Sequence, residues 1–278
     1  MAILRIQSDG DPFPAFAGHN GNNVPKNDGN SRTFEDGSEI SDQTHDFSIK
    51  YRGGSNSNNP QIVDKDLPIG ITTTGVVIYS PMASGNVLPL TGQASASGYH
   101  WNVIENQAEF FQDICGGKPE IGGEYRYRSG AFYSQGFDGN SSFQNSSTYY
   151  AGGVSHPDGH SKIVGYALDG YPIYGPNGYQ SPLSNSSGIT RMISGYTLRE
   201  TPLASRIRSY DQLPRGRYVE DYEFTSSGTL DQYNGRYCVT PDYTNGTYAY
   251  FLTFSDNNFT SPAFPYIVGR STKEQRSI

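Results

Sequence analysis

Apolar and polar positions alternate in short runs along most of this chain. THDFSIKYRGG, from Thr44, puts Phe47, Ile49 and Tyr51 on one face, which predicts a half-buried strand. SNSNNP then predicts a loop. PIGITTTGVVIYSP, residues 68–81, is β-branched and bounded by prolines; it predicts one strand broken near Gly75, or two short ones. EYRYRSGAFY, KIVGYALDGYPIYGPNGY, RYVEDYEF, GRYCVT and GTYAYFLTF read as further strands, TLRE reads as a short polar turn, and PAFPYIVG closes the core. Only WNVIENQAEFFQDICGG, residues 101–117, has helical spacing, through Val103, Ala108, Phe111 and Cys115, with a glycine pair as its stop. The expected fold is mainly β with minor α: a β-sandwich-like or mixed β-rich domain with an extended N-terminal arm.

Three regions follow from this pattern. Residues 1–45 are rich in Gly, Asn, Asp and Pro, bury too little to fold alone, and are expected to be flexible or to order against a neighbouring subunit. Residues 46–270 form the β-rich domain, and 271–278 are a polar tail expected to be mobile. No repeat of solenoid period is present. One echo stands out: GGEYRYR from 122 and NGTYAYF from 245 are each a turn followed by Tyr-x-Tyr. They fit two equivalent edges, or neighbours, of one sheet.

Composition narrows the function. The 278 residues suffice for one large or two modest domains, and 33 glycines with 17 prolines favour turns and short strands. The 22 tyrosines suit strands and partner-facing surfaces, where the ring packs and the hydroxyl stays wet. A net charge of −7 argues against binding nucleic acid, which needs a basic patch. No run approaches the roughly 20 apolar residues of a membrane span, so no membrane insertion is expected. The first residues carry no basic segment leading into an apolar run, which points to synthesis in a cytoplasm. Spacing does not decide whether Cys115 and Cys238 pair; free, part-buried thiols are the simpler expectation. Short edge strands and an arm that needs a partner suggest homo-oligomerisation.

GGEYRYR, GHSKIVGYALDGYPIYGP (159–176), LDQYNGRYCVTPDYTNGTYAYF (230–251) and FPYIVG (264–269) together resemble the YHYH domain, named for a Tyr-His-Tyr-His motif. ALDGYPIYGP is the most specific piece. The form with VEDYEF before LDQYNGR is similar to segments of virion structural proteins of marine tailed phages, cyanophages especially. That resemblance implies a non-enzymatic virion component (tail, baseplate, fibre or capsid decoration), assembled in the host cytoplasm. Its partners would be other virion proteins and copies of itself. Two alternatives are a receptor- or glycan-binding adhesin module that takes a host-surface glycan, and a metal-dependent hydrolase derived from the same scaffold.

In a Tyr-His-Tyr-His strand both histidines share a face about 7 Å apart, and two such strands could gather four imidazoles into a metal site. This chain has Tyr125, Arg126, Tyr127 and Arg128 at one such strand, and Tyr248, Ala249, Tyr250 and Phe251 at the other. None of the replacements is a metal ligand, so no catalytic residue, cofactor or metal is expected. Arg126 and Arg128 share a face and would repel unless carboxylates or backbone carbonyls meet them.

The remaining candidates each have two readings. His156 and His160, in SHPDGHSK, either converge on a metal or leave His160 bonding the loop before KIVG. Asp169 and Asp231 are either a catalytic carboxylate pair or turn-forming acceptors, the simpler reading. Tyr166, Tyr171, Tyr174 and Tyr179 either line a sugar groove or fill a small β-core. Trp101 is more readily core than contact.

Overall fold

The structure is a computed structural model that describes residues 2–10, 39–83, 99–106, 110, 112, 113, 115–120, 122–133, 155–206 and 208–276. It is mostly β, as the alternation predicts. In chain order the strands are β1 (Ile3–Ser8), β2 (His45–Lys50), β3 (Gln61–Ile62), β4 (Gly70–Thr72), β5 (Val77–Ile78), β6 (Met82–Ala83), β7 (Trp101–Asn102), β8 (Gly117–Pro119) and β9 (Tyr125–Tyr127). Then follow β10 (Ile163–Ala167), β11 (Pro172–Tyr174), β12 (Asn177–Tyr179), β13 (Ile189–Arg191), β14 (Tyr196–Leu198), β15 (Tyr222–Phe224), β16 (Gly235–Cys238), β17 (Thr247–Phe251) and β18 (Ser271–Thr272). The described helical residues are two single 3-10 turns, Ala131–Tyr133 and Val219–Asp221.

One eight-stranded mixed sheet organises the molecule, in the order β16-β17-β11-β10-β4-β5-β9-β8. This order is a palindrome of two repeats. β4 and β5 form a hairpin, β9 joins β5 in parallel, and β8 closes the edge. β10 and β11 form a hairpin, β17 joins β11 in parallel, and β16 closes the other edge. The small hairpins β6–β7 and β12–β13 hold corresponding places, Val103 bonding the Pro81 carbonyl at 2.8 Å and Met192 that of Pro176 at 2.7 Å. The repeats meet through β4 and β10, where Ile71 faces Tyr166. On either side, Thr73 N–H donates to the Val164 carbonyl and Leu168 N–H to that of Ile69, each at 2.9 Å. The Ile71–Tyr166 pair therefore lies on a pseudo-twofold axis.

The sequence carries this duplication. IGITTTGVVIYSP and VGYALDGYPIYGP align without a gap and share Gly, Gly, Ile, Tyr and Pro at matched places. The matched turn glycines, Gly75 (φ +91°) and Gly170 (φ +98°), both adopt a left-handed conformation that disfavours any Cβ. The ribbon β1–β2 lies over the axis. Its Leu4, Ile6, Phe47 and Ile49 pack on Ile71, Tyr166 and Leu168, and its ends reach both hairpin turns through Ser8 and Arg52.

Four expectations change. Residues 3–8 are a strand within the predicted arm, while 11–38 of that arm lie outside the described residues. The described part of 101–117 is strand and turn, not helix: Asp113 accepts the Cys115 and Gly117 N–H groups and Gly116 sits at φ +71°. Side chains that capture nearby backbone donors in this way compete with helix. TLRE contributes to β14, held by β15. The tail, expected to be mobile, is bound as far as 276: β18 pairs with β3, and buried Glu274 salt-bridges Arg52 at 3.0 Å.

Candidate functional site

The two Tyr-x-Tyr strands are the centre of the likeness, and each is preceded by the same device. In the first repeat, Asp113 opens a turn closed by Asp113 N–H on the Gly117 carbonyl (2.9 Å) and Gly116 N–H on the Asp113 carbonyl (3.0 Å). Its carboxylate accepts the N–H groups of Cys115 (2.8 Å) and Gly117 (3.1 Å) and the Tyr125 hydroxyl (2.5 Å). In the second repeat Asp231 does the same with Tyr233 N–H (2.9 Å), Gly235 N–H (3.2 Å) and the Tyr248 hydroxyl (2.9 Å). Gly117 and Gly235 are required because a Cβ there would meet the tyrosine oxygen at 2.5 and 2.4 Å. Asp113 and Asp231 thus tie the ends of each edge hairpin to its neighbouring turn. Sequence reading missed Asp113, although DICGG before Tyr-x-Tyr mirrors DQYNG before Tyr-x-Tyr.

Asp169 performs a third bracing role. It is fully buried, accepts the Tyr250 hydroxyl at 2.6 Å and Tyr171 N–H at 3.3 Å, and holds Glu274 N–H of the tail at 3.1 Å. Burial raises its pKa to about 6 against the pull of those donors and of Arg52, and raises that of Asp113 to about 7. Asp169 and Asp231 each answer to a different tyrosine and to backbone donors. These are the contacts of turn-forming acceptors.

Four strands lie between β9 and β17 in the sheet order, yet the strands meet again at their ends, where Gly130 lies against Leu252. The four positions that would carry imidazoles hold Arg126, Arg128, Ala249 and Phe251, none of them a metal ligand. Among the described residues no group of three or more His, Cys, Asp or Glu side chains could hold a metal ion. Cys115 and Cys238 are free and buried. His160 is fully buried and donates from Nδ1 to the Ser161 carbonyl at 2.7 Å, the local bond expected of it. Its ring lies 6.3 Å from that of His156, which faces Asp242.

Of the two readings of the four tyrosines, three follow core packing, and Tyr166 is half-buried under the β1–β2 ribbon. Tyr171, Tyr174 and Tyr179 are buried, with Tyr171 against Tyr248 and Tyr174 stacked on Phe251. Trp101 is buried and stacks on Tyr218 at 4.5 Å. The motif tyrosines Tyr125, Tyr127, Tyr248 and Tyr250 fill the main core.

The opposite face of β9 differs. Arg126 bonds Glu124 and lies 4.0 Å over the Tyr79 ring. Arg128, with 9 % of its side chain exposed, donates to the Ser80 and Met82 carbonyls at 3.0 and 3.2 Å and salt-bridges Glu120 at 2.9 Å. Separate partners resolve the repulsion between the two guanidinium groups. Both arginines border a cavity of about 430 Å³, whose other described walls include Gln112, Lys118, Glu120 and Phe110.

No curated protein and no solved structure matches the chain. A family model does, that of the YHYH protein, over residues 46–264. The match spans both edge hairpins with their Asp–Tyr braces and the central pair of strands, which is most of the chain. By its sequence this chain belongs to the YHYH family.

Proposed function

We propose that the protein is a non-enzymatic structural component of a tailed-phage virion, working through contacts with other virion proteins and with copies of itself. The observation that carries this reading is the insertion that breaks the symmetry. Between β13 and β16 the second repeat adds the β14–β15 ribbon and its connections, without counterpart in the described part of the first. Ile193, Leu198, Leu203 and Phe224 from this stretch are 37–45 % exposed. They are half of the large apolar side chains that the described residues leave exposed, and two of them, Leu198 and Phe224, share one face of the β14–β15 ribbon, the kind of adjoining apolar surface that suits contact between proteins. The β1 strand lends support: it pairs only with β2 among the described residues, so its second edge can take a strand from another chain. The viral setting rests on the likeness of VEDYEF and its neighbours to phage virion segments.

The test is incorporation. Mass spectrometry of density-purified particles should detect the protein in stoichiometric amount. Leu198→Ser with Phe224→Ser should remove it from particles while the purified chain keeps its melting temperature. Absence of the unaltered protein from particles, or undiminished incorporation of the double variant, would overturn the reading.

A further inference from the structure

The β1–β2 ribbon is fastened to the second repeat by more than its apolar face. After β2 the chain runs through Tyr51, Gly53 and Ser55 along the turn that joins β16 to β17. Tyr51 N–H donates to the Ala2 carbonyl at 3.0 Å, Gly54 N–H to the Thr247 hydroxyl at 3.0 Å, and Tyr248 N–H to the Ser55 carbonyl at 2.8 Å. Tyr243 is fixed from the other side. Its N–H bonds the Thr240 carbonyl at 3.2 Å and hydroxyl at 3.0 Å, and its carbonyl accepts Gly246 N–H at 2.9 Å. Backbone on both sides thus sets where these two side chains meet.

They meet hydroxyl to hydroxyl. Tyr51 and Tyr243 share a hydrogen bond, and their ring centroids lie 6.4 Å apart with the planes tilted by 36°. Gly53 leaves room for this approach: a Cβ there would meet Tyr243 Cε1 and Tyr51 Oη at 2.4 Å each, and Tyr51 Cζ at 2.5 Å. Tyr243 Cε1, the carbon ortho to its hydroxyl, and Tyr51 Cζ therefore lie within about 5 Å of each other. That is a small ring rotation from the roughly 3–3.5 Å of a near-attack contact. Core pairs differ. Tyr171 with Tyr248, and Tyr248 with Tyr250, meet edge to face in the buried core, and their hydroxyls go to Ser57, Asp231 and Asp169. Tyr51 and Tyr243 are only half-buried, which leaves them open to an oxidant.

We propose that Tyr51 and Tyr243 form a cross-linking site, joined as dityrosine under peroxide-driven one-electron oxidation. Each phenol gives one electron and one proton to a haem peroxidase charged by hydrogen peroxide, and the peroxide leaves as two waters. The two ring radicals pair their electrons in a carbon–carbon bond between the Cε atoms ortho to the hydroxyls. The hydrogen on each of those carbons then moves to its oxygen, which restores both phenols. The bond closes a span of 192 residues and clamps the ribbon to the second repeat. It does not depend on the proposed virion role.

Oxidation of the dilute purified chain with hydrogen peroxide and a haem peroxidase tests it, read by dityrosine fluorescence and peptide mass spectrometry. The product should be monomeric and give one dominant linked pair of peptides, containing Tyr51 and Tyr243 and lighter than their sum by two hydrogens. Tyr51→Phe and Tyr243→Phe should each abolish that pair and most of the fluorescence. Tyr166→Phe, whose ring centroid lies 6.5 Å from that of Tyr51, should keep both. Mapping of the unaltered chain stands by itself should a variant fold poorly. The proposal is overturned if no link forms, if links join only separate chains, if another pair such as Tyr51 with Tyr166 dominates, or if both phenylalanine variants fluoresce undiminished.

Discussion

The Tyr250 hydroxyl donates to Asp169 at 2.6 Å and accepts Lys273 N–H at 2.6 Å, so one oxygen joins the sheet, the β10–β11 turn and the tail. Tyr250→Phe leaves a buried carboxylate and a backbone N–H each short of a partner, and should cost about 2–4 kcal/mol. Tyr248→Phe leaves Asp231 with two backbone donors and should cost about 1–2 kcal/mol. Urea midpoints of the two variants give the comparison, and equal losses would contradict it. Asp169 adds a pH signature. Its folded pKa, about 6, lies above the ordinary 3.8, because burial outweighs the donors around it. The native state therefore holds the extra proton between about pH 4 and pH 6. The stability it contributes is full below that window and is lost as pH rises through it, by an amount on the order of 3 kcal/mol. Stability of the unaltered protein minus that of Asp169→Asn should fall across the window, a difference that cancels titration of His160. A flat difference would remove the assignment. The Tyr-x-Tyr pairs were legible in the sequence, because their pattern is local. Their partners were not, since Asp113 and Asp231 reach them only through the closure of a hairpin.

At the scale of elements, the two turn glycines are matched by the axis but not by their surroundings. A Cβ on Gly170 would meet the Lys50 carbonyl oxygen at 1.9 Å, a backbone atom fixed by the β1–β2 ribbon. A Cβ on Gly75 would meet the Ser8 Oγ at 2.2 Å and the Ser8 Cβ at 2.6 Å, so the hydroxyl can turn aside but the end of β1 must also shift. Both positions have positive φ, which costs about 1–2 kcal/mol for alanine on its own. Gly75→Ala should exceed that value modestly, while Gly170→Ala, which drives against a ladder carbonyl, should lose about 3 kcal/mol or more and loosen the ribbon. Chemical denaturation with hydrogen exchange at Phe47 and Ile49 would read both effects. These elements also mark where sequence reading succeeded. The split of residues 68–81 into β4 and β5 followed from Gly75, and β2 from the alternation around Ile49. It failed at 101–117, where apolar residues at helical spacing are held by Asp113, Asn102 and Asn106 in strand and turn conformations. Side-chain-to-backbone bonds of this kind leave the period of apolar residues unchanged.

At the scale of the molecule, duplication does not imply two independent units. The repeats share the β4–β10 ladder at the middle of the sheet and one core that takes Tyr125 and Tyr127 from the first and Tyr248 and Tyr250 from the second. The chain ends tie them again. β18, after the second repeat, pairs with β3, before the first, and Arg276 donates to the Pro68 carbonyl at 3.0 Å. Trp101 of the first repeat stacks on Tyr218 from the insertion of the second. Splitting the sheet at its centre would bare two strand edges and half the core, so neither repeat retains a closed fold alone. Unfolding should therefore be a single cooperative transition. Trp101, the one tryptophan, reports the first repeat by fluorescence, and far-UV circular dichroism reports all strands. Their urea midpoints should coincide, and Tyr250→Phe in the second repeat should shift both equally. A tryptophan transition that precedes the circular dichroism change, or that ignores Tyr250→Phe, would mean that the repeats unfold separately and that the axis joins two domains instead of organising one.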